Sequence, residues 1–150
     1  MLMTNITCFD VADFFLNRAA KEEDGGEIIS NLKLQKLVYY AQGFHLAMFE
    51  APFFNESLEA WTHGPVIPDL YHDKKQFGDN GIPFNPEFDA SIFTQKQRDL
   101  LNEIYEVFGQ FSAWKLRELT HQESPWLKNK KHKGLIPQAD LIEYFKTQLN

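Results

Sequence analysis

Apolar residues recur at helical spacing along most of this chain. Val11, Phe14, Phe15 and Ala19 share one face behind Thr7, a good N-cap, with Asp10 in the first turn, which predicts a helix over residues 8–21. The stretch 21–26, closing on Gly25-Gly26, reads as a loop. Ser30 can cap a second helix over 32–49, in which Leu34, Leu37, Val38, Ala41, His45 and Met48 occupy one face. Tyr40, Gly43, Phe44 and Ala47 make another face, leaving only Lys33, Gln35, Lys36 and Gln42 as a polar remainder. A helix apolar on most sides is expected at the centre of a fold, and Gly43 in it is expected where another element packs close.

Ala51-Pro52 ends that helix, and Leu58 and Ala60 alternate with Glu59 and Trp61 as a weak strand signal over 57–61. A short helix is expected over 68–76, ending at Gly78, followed by a loop over 79–93 with room for one strand near Ile82–Phe84. Thr94 and Gln97 form a capping box for a helix over 95–108 carrying Leu100, Leu101, Ile104, Tyr105 and Phe108. Ser112 can cap another helix to about residue 120, with Leu116 and Leu119 on one face. Ser124-Pro125 supplies a cap and first residue for a short turn bearing Trp126 and Leu127, and Pro137 opens a last helix with Leu141, Ile142 and Phe145 inward. No internal repeat or linker interrupts the pattern. The expected fold class is mainly α, a single compact multi-helix domain over 1–150 with a small β element beside Gly64-Pro65.

The segment Trp61–Tyr71, W-T-H-G-P-V-I-P-D-L-Y, departs from helical periodicity. Gly64 can take positive φ, Pro65 fixes its own φ and disfavours the helical region for Gly64, and Pro68 suits a first helical turn. The expectation is a strand end, a stiff corner and a helix start, with Trp61, His63 and Tyr71 held beside it as a presented surface. Lys33 and Lys36 read as solvated helix charges. The alternative places Lys36 and Tyr39 beside the corner, where Lys36, Tyr39, Trp61, His63, Gly64, Pro65 and Tyr71 together form a protein-binding surface of aromatic and cationic type.

Composition narrows the chemistry. Fourteen phenylalanines imply a core built on large rings, and the lone Cys8 permits no internal disulfide, as expected in a reducing compartment. The N-terminus lacks a signal-peptide pattern and no apolar run is long enough to span a membrane, so a cytoplasmic protein is expected. The net charge is −6, yet Lys128, Lys130, Lys131 and Lys133 cluster, leaving a body with 11 of the 15 bases and all 21 acids. Such a body repels nucleic acid, and the lysine run reads as a solvated loop rather than a contact patch. Five scattered histidines form no metal-ligand pattern, and neither a phosphate-binding loop nor a dinucleotide or hydrolase motif occurs, so no cofactor is expected. His45 reads as a core or boundary residue, His121 as structural or capping, Cys8 as a small buried residue, and His63 as either a surface contact or a local hydrogen-bonding group. An enzyme using His121 with Glu123, or His63, would need those groups to converge in a concave pocket.

Leu34-Gln35-Lys36-Leu37, with Tyr39, Gly43 and His45, resembles the start of the Panacea domain of SocA-like antitoxins and Gep-type phage-associated proteins. The likeness continues through Glu59-Ala60-Trp61, Gly64-Pro65-Val66 and Leu70-Tyr71, then Ser112-Ala113, Leu116, Leu119-Thr120-His121 and Ser124-Pro125-Trp126, about residues 5 to 146. The resemblance implies a mostly helical domain acting as the antitoxin of a two-gene toxin–antitoxin system. Its partner would be a protein toxin encoded by an adjacent gene and neutralised by direct binding. The alternative it implies is an adaptor delivering the toxin to a cytosolic AAA+ protease. Some members add a DNA-binding module, for which these 150 residues leave no room.

Overall fold

The computed structural model describes residues 5–22 and 29–149, so most of the loop expected over 21–26 lies outside the described residues. Among the described residues the chain forms seven α-helices and one two-stranded antiparallel sheet, confirming the mainly α class. In chain order these are α1 (Cys8–Ala20), α2 (Asn31–Phe49), β1 (Glu59–Trp61), β2 (Gly64–Val66), α3 (Pro68–Lys74), α4 (Gln95–Phe108), α5 (Ala113–Thr120), α6 (Ser124–Asn129) and α7 (Gln138–Lys146). Short 3-10 turns follow α3 and α6 and precede α4.

Local chemistry fixes the helix starts. Thr7 and Asp10 close a capping box on α1, and Thr94 and Gln97 another on α4, each satisfying two N-terminal donors reciprocally. Ser30 and Ser112 accept from the third residue of α2 and α5. At α6 the N-cap is Glu123 rather than the expected Ser124, and Glu123 makes no side-chain cap. Its carboxylate is turned inward instead.

Helix α2 is central, touching α1, α3, α4, α5, α7 and β2. Its apolar residues are enclosed, but so is its polar remainder: Lys33, Gln35, Lys36 and Gln42 are each no more than 2% exposed. Lys33 and Lys36 are therefore not solvated charges. Each polar head is met by a distant partner, as burial demands. Lys33 Nζ donates to the Gly109 carbonyl at 2.6 Å, and Gln42 donates to the Phe54 carbonyl at 2.8 Å and accepts from Phe53 N–H at 2.7 Å. His45 is likewise buried; its Nδ1–H donates to the Ala51 carbonyl (2.7 Å), Nε2 accepts from Gln97 (3.1 Å), and the ring stacks on Phe53. Cys8 is fully buried, and burial together with Glu56 and Asp69 pushes its thiol pKa up.

Helix α7 packs on α2 at Gly43, where an added Cβ would stand 2.1 Å from the Phe145 ring. Phe145 sits among Tyr39, Tyr40, Phe44 and Tyr144, and Tyr40 stacks on Phe108 at 3.9 Å. The ring-built core and the close approach at Gly43 both follow the sequence expectation.

The β element corrects it in detail. The hairpin turns at Thr62-His63, while Gly64 and Pro65 belong to β2, paired Trp61↔Gly64 and Ala60↔Pro65. Ala60 N–H donates instead to the Gly134 carbonyl (2.9 Å), on the other edge of β1. Pro65 therefore faces Ala60 where no ladder bond passes between them, and its missing N–H costs nothing. No strand forms near Ile82–Phe84; one backbone bond, Ile82 N–H to the Ile29 carbonyl at 3.0 Å, ties that segment down.

Candidate functional site

Three sequence segments far apart in the chain meet on one side of α2. Gln35 donates to Asn31 at 2.9 Å and accepts the Ile67 N–H at 2.9 Å, fixing the exit from the hairpin. Lys36 Nζ donates to the Pro65 carbonyl at 3.3 Å, on the side of β2 that points away from β1. Tyr39 and Tyr40 hydroxyls donate to the two oxygens of Glu123, both at 2.8 Å. Beyond the hairpin turn, His121 Nε2–H donates to the Thr62 carbonyl (3.0 Å) and its ring stacks on Trp126, whose indole N–H donates to the Trp61 carbonyl (2.7 Å). The L-Q-K-L, G-P-V and T-H-Q-E-S-P-W segments thus form one hydrogen-bonded hub under the hairpin.

Gly64 requires glycine here. Its φ is +113°, and an added Cβ would lie 2.8 Å from both Lys36 Cε and Thr120 Oγ1. The hub presses α2 and α5 directly against β2.

Two buried groups are strongly perturbed. Burial pulls the Lys36 pKa down to about 7, with repulsion from Arg117 adding to it. Burial pushes the Glu123 carboxyl up to about 7, opposed by hydrogen bonds from Tyr39, Tyr40 and Tyr144. The three phenols shift in the direction that keeps them donors. Burial and the Glu123 charge raise Tyr39 and Tyr40 and push Tyr144 up to about 12, so all three stay protonated. Lys36 buries its ammonium for one carbonyl bond, and an apolar residue of similar length should fit the same space. Lys36→Met is expected to raise stability at neutral pH by about 1–2 kcal/mol, read as a higher urea midpoint at unchanged slope. A lower midpoint would mean that the bond to Pro65 outweighs desolvation.

Above the hub lies the surface. Trp61 and Tyr71 are half-buried with rings 5.0 Å apart and His63 is exposed, so the hairpin does present its aromatics. An open groove of about 560 Å³ runs beside it, its walls made by Trp61, His63, Val66, Tyr71 and Trp114 and its floor by Asn31 and Gln35. Of the residues expected to form a partner surface, Trp61, His63 and Tyr71 line this groove, whereas Lys36, Tyr39, Gly64 and Pro65 are buried. Direct contact through those four is corrected by their burial: Lys36 and Tyr39 have 0% exposure because their polar ends serve Pro65 and Glu123. They hold the hairpin from beneath.

Sequence periodicity missed Trp114 and Arg117 on α5. Trp114 is 60% exposed, and the Arg117 guanidinium lies 4.6 Å over its ring while Nε donates to His63 Nδ1 at 3.3 Å. A signal existed: in A-W-K-L-R-E-L-T, Leu116 and Thr120 set the inward face, which leaves Trp114 and Arg117 off it, a tryptophan out of register with the core.

His121 and Glu123 do not converge. His121 engages Thr62 and Trp126, while Glu123 points to the buried phenols, so the pair expected of an enzyme site is not formed. Among the described residues no group of three or more His, Cys, Asp or Glu could hold a metal, and no helix is long and apolar enough to cross a membrane. The lysine run is exposed; Lys128 ties α6 to α7 through Glu143 (3.1 Å), and Lys130 lies over Trp126.

These segments fall within the stretch over which the chain matches a known family. Residues 34–127, from the first turn of α2 to the middle of α6, match the family described as Antitoxin SocA-like, Panacea domain. The protein Antitoxin SocA of Caulobacter vibrioides (strain NA1000 / CB15N) is 33% identical over 135 residues, which take in 77% of this chain and 66% of that relative. The chain thus spans a little under two thirds of that relative's length. No solved structure matches this chain significantly. With more than half of the chain matched, and the hub built from the matched residues, the chain belongs to the antitoxin SocA-like, Panacea-domain family.

Proposed function

We propose that this chain is an antitoxin-like protein-binding module that neutralises a partner toxin by direct binding, with the groove beside the hairpin as the docking site. The observation that carries this reading is the groove itself: Trp61, Tyr71 and Trp114 stand open around it, braced by the hub of family residues. Half-exposed aromatics on a rigid support supply large contact area at little ordering cost, which is the make-up of interface hot spots. Lys36, Tyr39, Gly64 and Pro65 act by positioning that surface. The reading is non-enzymatic, places the protein in the cytoplasm with its toxin, and takes the toxin to be the product of an adjacent gene. A net charge of −6 disfavours nucleic acid as the occupant.

Co-expression of the chain with that small neighbouring product tests it. The wild type should restore growth and co-purify with the toxin. Trp114→Ala, at an exposed position where folding is not at stake, should weaken the complex by about 30-fold or more, an effect of roughly 2 kcal/mol. Trp61→Ala should do the same, with circular dichroism confirming that it remains helical. Undiminished co-purification of both variants would overturn the site. A toxin half-life unchanged by the chain supports sequestration; a half-life that shortens, and recovers when a host AAA+ protease is deleted, would replace it with the adaptor reading.

A further inference from the structure

We infer that the segment docking in this groove presents a carboxylate of a polypeptide to Arg117. The inference rests on the docking reading above and names the chemistry of the occupant. Arg117 is fixed by its Nε bond to His63 Nδ1 (3.3 Å) and by stacking on Trp114 (4.6 Å). Its two Nη groups make no hydrogen bond, and no carboxylate pairs with it, among the described residues. Nearby acids are occupied: Glu118 accepts from the Trp114 indole N–H at 3.1 Å and Glu59 from that of Trp61 at 2.8 Å. Asp79 and Lys75 both line the groove and contribute one charge of each sign. The other titratable groups around Arg117 are Lys36, His63 and His121, and both Lys36 and His121 feel its charge as repulsion.

A guanidinium without an ion-pair partner among the described residues, on a chain of net charge −6, is a local point of attraction for an anion. Its planar fork matches a carboxylate with two parallel hydrogen bonds. Arg117 stands at the groove margin, against the lining residues His63 and Trp114, and the remaining walls are the apolar faces of Trp61, Tyr71 and Val66, which suit a side chain adjacent to the acid. That pairing of apolar wall and cationic end fits an acidic residue or chain terminus next to an apolar or aromatic residue.

The test uses the whole protein, labelled with nitrogen-15, titrated with N-acetyl-phenylalanine and with its uncharged amide. The acid should shift the Trp61 and Trp114 indole resonances and bind about tenfold more tightly than the amide. Arg117→Gln should abolish that preference, Arg117→Lys should retain part of it, and unchanged circular dichroism shows that both variants fold. Equal binding of acid and amide, persistence of the preference in Arg117→Gln, or no shift by either probe would overturn the inference. Inorganic phosphate displacing the acid at lower concentration than the acid itself requires would also overturn it, in favour of a phosphate site. Failure is separable from that of the docking reading: Trp114→Ala weakening toxin co-purification while acid and amide bind alike would sink only the carboxylate. Intact co-purification with a clear acid preference would sink only the toxin's use of the groove.

Discussion

Glu123→Ala is expected to destabilise the protein by about 4 kcal/mol, the largest effect of any single truncation in the hub. The loss strands the Tyr39 and Tyr40 hydroxyls, both buried and both donating to that carboxylate at 2.8 Å. An orphaned buried donor costs about 1–3 kcal/mol, and the emptied volume adds to it. Glu123→Gln keeps the shape and one acceptor, and one phenol can rotate to accept from the new amide, so a loss nearer 1–2 kcal/mol is expected. Urea denaturation of the two variants checks the order, and equal stability of Ala and Gln would remove the hydrogen-bond account.

The same pair of proteins reports the titration. In the native state Glu123 is raised to about 7 from an ordinary 4.5, so the folded protein holds that proton more firmly than the unfolded chain does. Its contribution is fully present below about pH 4.5 and is lost as pH rises through about 7. Lys36, lowered to about 7 from 10.5, and His45, also lowered, change stability in the opposite direction, losing it as pH falls. The wild type minus Glu123→Gln difference in unfolding free energy removes those shared slopes. It should decline between pH 4.5 and 7; a flat difference would show that the phenols fully offset the desolvation of the carboxylate.

Gly43→Ala is expected to lose about 3 kcal/mol even though alanine is the better helix former by roughly 1 kcal/mol. The new methyl would meet the Phe145 ring at 2.1 Å, and that ring is enclosed by Tyr39, Tyr40, Phe44 and Tyr144 and cannot swing aside. Either α7 lifts or the ring strains, and both empty contacts elsewhere in a close-packed core. Phe145→Leu, which shortens the opposing side chain, should recover part of the loss when combined with Gly43→Ala. A double-mutant cycle from chemical denaturation measures that coupling, and strict additivity would deny the contact.

Helix α2 is legible because apolar residues lie on most of its sides, a pattern that a central helix buries. The N-cap at Thr7 and the capping box at Thr94 mark the starts of α1 and α4 in the sequence, since the residues involved lie within one turn. Gly43 was legible as a contact, although not its partner, because a glycine inside a strong helical pattern needs a packing reason. The hairpin was misread by two residues: Gly64 and Pro65 punctuate sequence strongly, and the actual turn, Thr62-His63, carries no such mark. Only half of the candidate site could be read. Trp61, His63 and Tyr71 lie in the sequence segment that forms the hairpin and the first turn of α3, but Trp114 comes from α5 and reaches the groove through folding alone, as does Arg117, which packs on Trp114 and His63 at its margin.

The sequence by itself determined the helical class, the order and approximate limits of the helices, and the central place of α2, all consequences of interactions within a few residues. Tertiary structure alone decided the fate of the polar groups on that helix. Lys33 and Lys36 carry the residue type of a solvated face, and they are buried because Gly109 and Pro65, 76 and 29 positions away, supply acceptors. Glu123 stands at the N-cap position of α6 yet is enclosed and caps nothing, because Tyr39 and Tyr40 reach it across 84 and 83 positions. Periodicity records which way a side chain points, whereas burial of a charge depends on whether a partner waits there, and that partner is placed only when the whole chain has folded.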